Sequence, residues 1–358
     1  MSPRDTAAFV ALAAIWGASF LFMRIAVPEL GPWPLMLLRC AIGALTLLPV
    51  LLWRGLGHEL LANAAPLFAV GVLNSAVPFV LLGYATLTLG AGVTSILNSL
   101  APIFAALVAW LWLGERLGRA QLAGLALGVA GVAILAGGGT GDDGAAGESL
   151  VRTLAPFAAG VGATVFYGVG ANCARRYLVG VDPLATATGS QLSASLALLV
   201  PGVLLWPGAD GASVGDEAIG AIGAIGAIGA GSTVVGEVGP GASTWLAAIA
   251  LGTLCTGVAY LLFFRLIANV GATRTIAVTF VIPAFGIGWG ALFLGERITL
   301  STVLGAVVVV LGTALATGAL GARRADAAGA GGEDAAGRSG EGGGSRGQGG
   351  TRPVPPKR

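Results

Sequence analysis

A chain of 358 residues that is 56% hydrophobic and only 10% charged, with mean hydropathy +0.88, is excluded from the soluble globular class, where about a quarter of residues carry charge. Its apolar runs reach about 20 residues and lack the alternation of a β-barrel, so the expected fold is an all-α integral membrane protein. The net charge of +2 says little, because the charges sit at the ends of apolar runs and in the tails.

Length, together with the Gly, Pro and charged residues that punctuate the runs, divides the chain into ten expected transmembrane helices. They cover 7–27, 34–53, 64–83, 90–113, 119–137, 154–172, 184–206, 245–266, 273–294 and 300–319. The first begins within ten residues of Met1 and has no cleavage site, so it is expected to be retained. Two segments stand outside the pattern. The Gly-rich stretch 207–241, with the Ala-Ile-Gly triplets of 218–230, reads as a mobile loop, and 320–358, rich in Gly, Ala and Arg, as a disordered cytoplasmic tail.

Arginine fixes the expected orientation, because cytoplasmic loops carry the excess of positive charge. With the N-terminus inside, the inner connections hold Arg54, Arg116, Arg119, Arg175, Arg176, Arg265 and Arg274, and Arg323 and Arg324 follow the last span. The outer connections hold Asp142, Asp143, Glu148, Asp210, Asp216, Glu217 and Glu237 against Arg152 and Arg297. Both termini are then cytoplasmic.

The stretch 90–137 recurs at 271–318. Moving the first copy by 181 positions lays Gly90, Ala91 and Thr94 on Gly271, Ala272 and Thr275, and Pro102 on Pro283. The same shift lays Leu113-Gly114-Glu115-Arg116 on Leu294-Gly295-Glu296-Arg297. At a different offset, 151, Trp16, Gly17 and Arg24 match Tyr167, Gly168 and Arg175. The ten spans thus split into two five-helix repeats, 1–137 and 154–319, joined by an extracytoplasmic loop at 138–153. Five is odd, so the second repeat enters the bilayer from the opposite side, which is the inverted arrangement of many secondary transporters.

The Trp16-Gly17-Ala18-Ser19-Phe20 start, Arg39 in the second span, and Pro102 followed by Leu113-Gly114-Glu115 resemble the EamA transporters of the drug/metabolite transporter superfamily. The resemblance covers nearly all of 7–319. It implies a multi-pass carrier of the plasma (inner) membrane that moves small metabolites, often exporting amino acids or related compounds, through a central cavity lined by both halves. The departures are the Gly-rich loop and tail, and the second half has Gln191 or a neighbour where Arg39 would be matched.

Polar groups in hydrocarbon are costly and mark candidate sites. Asn74, Asn98, Asn172 and Gln191 offer amides that donate and accept, suited to a polar or zwitterionic solute or, equally, to bonding a neighbouring helix for about 1 kcal/mol. Asn98 precedes Pro102 as Thr279 precedes Pro283, and each proline frees a carbonyl in the turn before it. Asn98 and Thr279 are therefore the preferred pair. The resemblance places Trp16, Tyr84, Tyr167 and Tyr260 around the cavity, where Trp16 would stack on substrate; core packing or an interfacial belt is the competing reading. Arg39 is expected to snorkel to the outer interface, with attraction of a carboxylate as the alternative. Glu115 and Glu296 follow a glycine at a helix end and open the next helix, so they read as structural, as do Pro102 and Pro283.

Gly124 with Gly128 and Gly312 with Ala316 form small-residue seams suited to packing within the chain or across a homodimer. His58 reads as a surface residue. The isolated Cys40, Cys173 and Cys255 indicate neither disulfide nor metal. No span has an Asp or Glu in its interior, which disfavours proton-coupled export of multidrug cations. No phosphate-binding Gly-Lys-Ser/Thr motif is present, so the chain is not expected to hydrolyse nucleotide. The expected partners are the bilayer and a small-molecule substrate, with no nucleic acid, metal or cofactor. A polytopic enzyme acting on a lipid or lipid-linked substrate is the other class, with His58 and Glu59 its available surface groups, and a flippase of the same fold would differ only in cargo.

Overall fold

The computed structural model describes residues 1–138, 150–207 and 239–318. The Ala-Ile-Gly triplets, the tail at 320–358 and the expected outer acidic residues Asp142, Asp143, Glu148, Asp210, Asp216, Glu217 and Glu237 lie outside the described residues.

The described chain is helical throughout. Helix α1 (Pro3–Leu30) starts where the Ser2 hydroxyl accepts the Asp5 amide at 3.2 Å and Pro3 presets the first turn. It ends at Gly31, whose positive φ lets α2 (Pro32–Trp53) leave at once. A short helix, α3 (Gly57–Ala62), leads into α4 (Ala64–Gly71), a π turn at Val72–Ala76 and α5 (Val77–Asn98). Then come α6 (Ala101–Leu113), α7 (Arg119–Gly138), α8 (Leu150–Tyr177) and α9 (Pro183–Leu204), the last capped by Asp182 accepting the Leu184 amide at 2.7 Å. The remainder is α10 (Ala242–Gly252), a π turn at Thr253–Val258, α11 (Ala259–Val270), α12 (Ala272–Ile276), a 3-10 turn at Ala277–Phe280, α13 (Ile282–Leu294) and α14 (Leu300–Ala316). Among the described residues, eight helical stretches are long and apolar enough to cross a bilayer, and α6 and α14 are shorter apolar helices.

The largest apolar core joins α1, α2 and α5 with Ala194 and Leu198 of α9 and Ala247, Ala248 and Leu251 of α10. A second gathers Ile96, Leu97, Ile103, Leu135, Phe157 and Val309 from α5, α6, α7, α8 and α14. Leu45, Leu111, Leu196, Leu246, Leu292 and Leu300 point outward and are exposed. A surface that apolar suits lipid, where the backbone must be satisfied inside each helix.

The small-residue seams meet each other within one chain. A Cβ on Gly124 would lie 2.5 Å from the Gly312 carbonyl, and one on Gly312 would lie 2.7 Å from the Gly124 carbonyl. Helices α7 and α14 therefore touch backbone to backbone, which only glycine allows.

Candidate functional site

The backbone departs from α-geometry at matched places. The π turns at Val72–Ala76 and Thr253–Val258 start 181 positions apart, although the two segments share little sequence. Gly90 (φ 77°, ψ 176°) breaks α5, and Gly271 (φ 87°, ψ 157°) separates α11 from α12. Gly114 and Gly295 end α6 and α13 in the left-handed conformation. Pro102 and Pro283 sit in the first turns of α6 and α13, just after the chain has bent. The sequence repeat began at Gly90; in three dimensions the same offset reaches back through the preceding span.

At the centre is Arg39 of α2, 6% exposed. Its guanidinium carbon lies 3.7 Å from the Phe79 ring centroid, Nε donates to Thr256 Oγ1 at 3.3 Å, and Nη1 approaches the Met23 sulfur at 3.9 Å. Thr256 belongs to the second π turn, and Gly43, one turn along α2, lets it approach: a Cβ there would sit 2.6 Å from Thr256 Cγ2. The expected snorkelling is thus corrected. The aromatic face and buried hydroxyl hold the charge inside, and the side chain turns inward instead of running along the helix to the interface. Among the described residues no carboxylate pairs with it.

Gln191 of α9 mirrors this arrangement. It is fully buried, and its Nε2 donates to Ser75 Oγ at 3.0 Å in the first π turn. Ser75 and Thr256 are themselves 181 apart. So α2 reaches the second π turn, and α9 reaches the first. Gln191 Oε1 has no hydrogen-bond partner among the described residues. The Tyr260 and Tyr167 phenols both lie close enough to feel the Arg39 charge, and Tyr260 is also within side-chain reach of Gln191. Tyr167 meets Phe79 edge-on at 6.4 Å between centroids, and Tyr260 stacks on Phe264 at 5.9 Å. Trp16 is half-buried against Phe263 at 5.3 Å.

The other expected residues lie elsewhere. Asn172 Nδ2 bonds the Ala105 carbonyl of α6 at 2.9 Å and the Gly168 carbonyl of its own helix at 2.8 Å, the helix-to-helix use of an amide. Asn74 is half-buried in the first π turn, its backbone pressed on Gly170 of α8. Asn98 and Thr279 stand at the two bends; Asn98 is half-buried, and Thr279 Oγ1 donates to the Ile276 carbonyl of its own turn at 2.9 Å. Tyr84 accepts from Trp33 Nε1 at 3.0 Å. His58 is exposed with Nδ1 3.1 Å from the Gly55 carbonyl, and Glu59 accepts the Asp182 amide at 2.8 Å.

The two glutamates require a correction. Neither carboxylate serves the helix it was expected to open. Glu296 reaches across to the Gly90 break and accepts the Ala91 and Gly92 amides at 2.7 and 3.1 Å. Arg24 of α1 completes that clamp by donating to the Thr86 carbonyl at 3.0 Å and to the Leu87 carbonyl. A carboxylate thus meets the positive start of one helical segment and a cation the negative end of the one before it, both dipole-complementary. A cavity of about 270 Å³ beside it is lined by Arg24, Thr88, Glu296, Arg297 and Thr302 among others. At the other Gly-Glu-Arg motif, Glu115 instead pairs with Arg175 of α8, both about half exposed. Sequence reasoning missed these partners because more than 200 residues separate Glu296 from Ala91 and Gly92; the offset that pairs Arg24 with Arg175 was the available signal.

A sequence profile described as the EamA-like transporter family matches residues 6–137 and 221–318. An uncharacterized transporter, YdfC, of Bacillus subtilis (strain 168) is 26% identical over 301 residues, 84% of this chain and 87% of that protein. A second from the same organism, YvbV, is 27% identical over 310 residues, 85% and 88% of the two chains. A probable terminal-alkyne amino-acid exporter of Streptantibioticus cattleyicolor is 28% identical over 129 residues, 36% of this chain and 43% of that one. One crystal structure aligns with TM-score 0.57 at 20% identity, covering 90% of this chain and 99% of the other, a likeness of fold.

Proposed function

Since the chain belongs to the EamA-like transporter family, we propose that it is a secondary carrier that exports a small metabolite, an amino acid or related compound. Its machinery is ten spans in two inverted five-helix halves that alternate access to a central site. The ten spans arise by dividing the 64–98 stretch at Gly90 and counting 91–113 and α14 as crossings. Both termini then lie in the cytoplasm, in a plasma-membrane protein.

The observation that carries this reading is the fixed offset of unusual backbone: paired π turns, paired glycine breaks and paired left-handed caps. Two halves with the same joints can exchange conformations, and contacts such as Arg39 to Thr256 and Gln191 to Ser75 lie between them. The clamp at Gly90 and the free break at Gly271 accord with a conformation closed on the side of Glu296 and open on the side of Glu115. The partial relative named as an amino-acid exporter supports the cargo class. His58 meets the Gly55 carbonyl of its own loop and Glu59 accepts the Asp182 amide before α9, and no geometry favours the enzyme alternative.

The decisive experiment compares metabolites in the medium of overexpressing and deletion cells; compounds enriched by overexpression support export, and identical media reject it. Reporter tags after Gly118 and after Leu300 should report opposite compartments, and the same compartment would reject inverted halves. Replacing Asn98 or Thr279 by Ala is expected to lower transport at unchanged membrane abundance.

A further inference from the structure

We infer that the cavity beside the Gly90 break is a binding site for a phosphate ester, gripped between Arg24 and Arg297. It is separate from the group around Arg39, because none of Arg39, Thr256, Gln191 or Ser75 lines it. The inference goes beyond transport and does not rest on it.

The cavity gathers side chains from distant parts of the chain: Arg24 from α1, Thr88 from the stretch of α5 before the break, Glu296 and Arg297 from the connection after α13, and Thr302 from the first turn of α14. Two cations and one carboxylate therefore face one small space. The carboxylate is already engaged, since one oxygen accepts the Ala91 amide and the other the Gly92 amide. The cations are not. Arg24 uses only Nη1, which donates to the Thr86 and Leu87 carbonyls, so its Nε and Nη2 donors are left over. Arg297 is exposed and makes no hydrogen bond or ion pair among the described residues, and the exposed Thr88 hydroxyl makes no hydrogen bond among them either. The lining is thus net positive and rich in unused donors.

A phosphate suits this set better than a carboxylate. A planar carboxylate is fully served by the fork of one guanidinium, whereas donors from two arginines and a threonine around one space suit a tetrahedral group that presents oxygens on every side. At about 270 Å³ the cavity falls just short of the roughly 300 Å³ at which sites for drug-sized ligands begin. The occupant is therefore small. Val93 and Ile287 form an apolar part of the wall, which fits the carbon skeleton of an ester and leaves a bare ion facing hydrocarbon. The sequence repeat carries the same charges at Glu115, Arg116 and Arg175, but there Glu115 and Arg175 pair with each other. The guanidinium that corresponds to Arg24 is taken. A soluble phosphate ester and the headgroup of an anionic phospholipid share the chemistry that this cavity recognises, and the test separates them.

The test uses the purified full chain in neutral detergent, with thermal unfolding followed at constant ionic strength while inorganic phosphate, glycerol phosphate or dihexanoyl phosphatidylglycerol is added. A ligand that binds only the folded chain raises its melting temperature as its concentration exceeds Kd, so a saturable rise is expected. A rise with phosphatidylglycerol alone assigns the site to a lipid headgroup, and a rise with glycerol phosphate extends it to soluble esters. Inorganic phosphate acting as strongly as either ester would overturn the ester assignment. Arg297→Gln should weaken the affinity about tenfold, the loss expected on removing a hydrogen bond to a charged group. Arg297 holds nothing else in place, so this variant is expected to fold. Arg297→Lys keeps the charge without the fork and should fall between the two. Arg119→Gln, at the exposed start of α7 and outside the cavity, should bind as the wild type does. No rise with any probe, unchanged affinity in Arg297→Gln, or an equal loss in Arg119→Gln would overturn the site. Each of those results would leave transport of a metabolite standing.

Discussion

The breaks at Gly90 and Gly271 have nearly the same backbone angles, yet their surroundings differ. At Gly90 the Glu296 carboxylate would sit 2.6 Å from an added Cβ, whereas nothing lies within 4 Å of one at Gly271. Around the first break, Ser95 is fully buried and a Cβ on Gly286 would meet its hydroxyl at 2.3 Å; Ile276, the counterpart of Ser95, is 42% exposed. Arg24 and Glu296 bind the two helix ends at Gly90, while Arg175 and Glu115, their counterparts, bind each other. Equal backbones with unequal contacts mean that each break is set by its own local backbone and does not need the Glu296 contact to form. The ion pair of Glu115 and Arg175 is about half exposed, where such a pair contributes little, about 0–1 kcal/mol.

Substitution of the two glycines should give the largest contrast. Both occupy a region of backbone space that is essentially reserved for glycine, so alanine costs about 1–3 kcal/mol at either. Gly90→Ala also drives a Cβ into Glu296, and its melting temperature in detergent should fall well below that of Gly271→Ala. Equal losses would mean that the carboxylate contact is unimportant.

A smaller effect is expected from Glu296→Gln. Hydrogen bonds to a charged group contribute about 1.5–3 kcal/mol, so weakening this pair of bonds should favour release of the clamp. A cysteine placed at Thr88, in a chain whose three native cysteines are replaced, should then react faster with an impermeant thiol reagent. Unchanged labelling would argue that Glu296 does not hold that side shut. Glu115→Gln should change stability least, by about 1 kcal/mol or less, but it should slow transport if Glu115 clamps the Gly271 break in the alternate state. Normal transport by Glu115→Gln would confine the clamp to one side and end the symmetry argument.

Much of the architecture was legible in the chain. The length of the apolar runs and the residues that punctuate them indicated the helices, and the motif Leu-Gly-Glu-Arg at 113–116 and 294–297 supplied the offset at which the backbone breaks recur. The caps at Gly114 and Gly295 follow from local chemistry, because only a residue without Cβ ends a helix there at low cost. The π turns were not legible. Val72–Ala76 and Thr253–Val258 have little sequence in common, and a π turn is set by how neighbouring helices press on the backbone. Asn172 illustrates the ambiguity of a polar residue in an apolar run, since lining a cavity and bonding the next helix ask for the same side chain.

The order of residues along this chain, by itself, determined that it is a membrane-embedded helical protein with an internal duplication and family motifs at both ends, because hydrophobic length and local capping are short-range properties. Tertiary structure alone decided that Arg39 turns inward over Phe79, that Gln191 is left with a bare acceptor, and that Glu296 clamps a helix start some 200 residues away. Each of these depends on a low-dielectric interior created only when helices distant in sequence close around a polar group. In that interior an unpaired charge or dipole carries a cost that water would have removed.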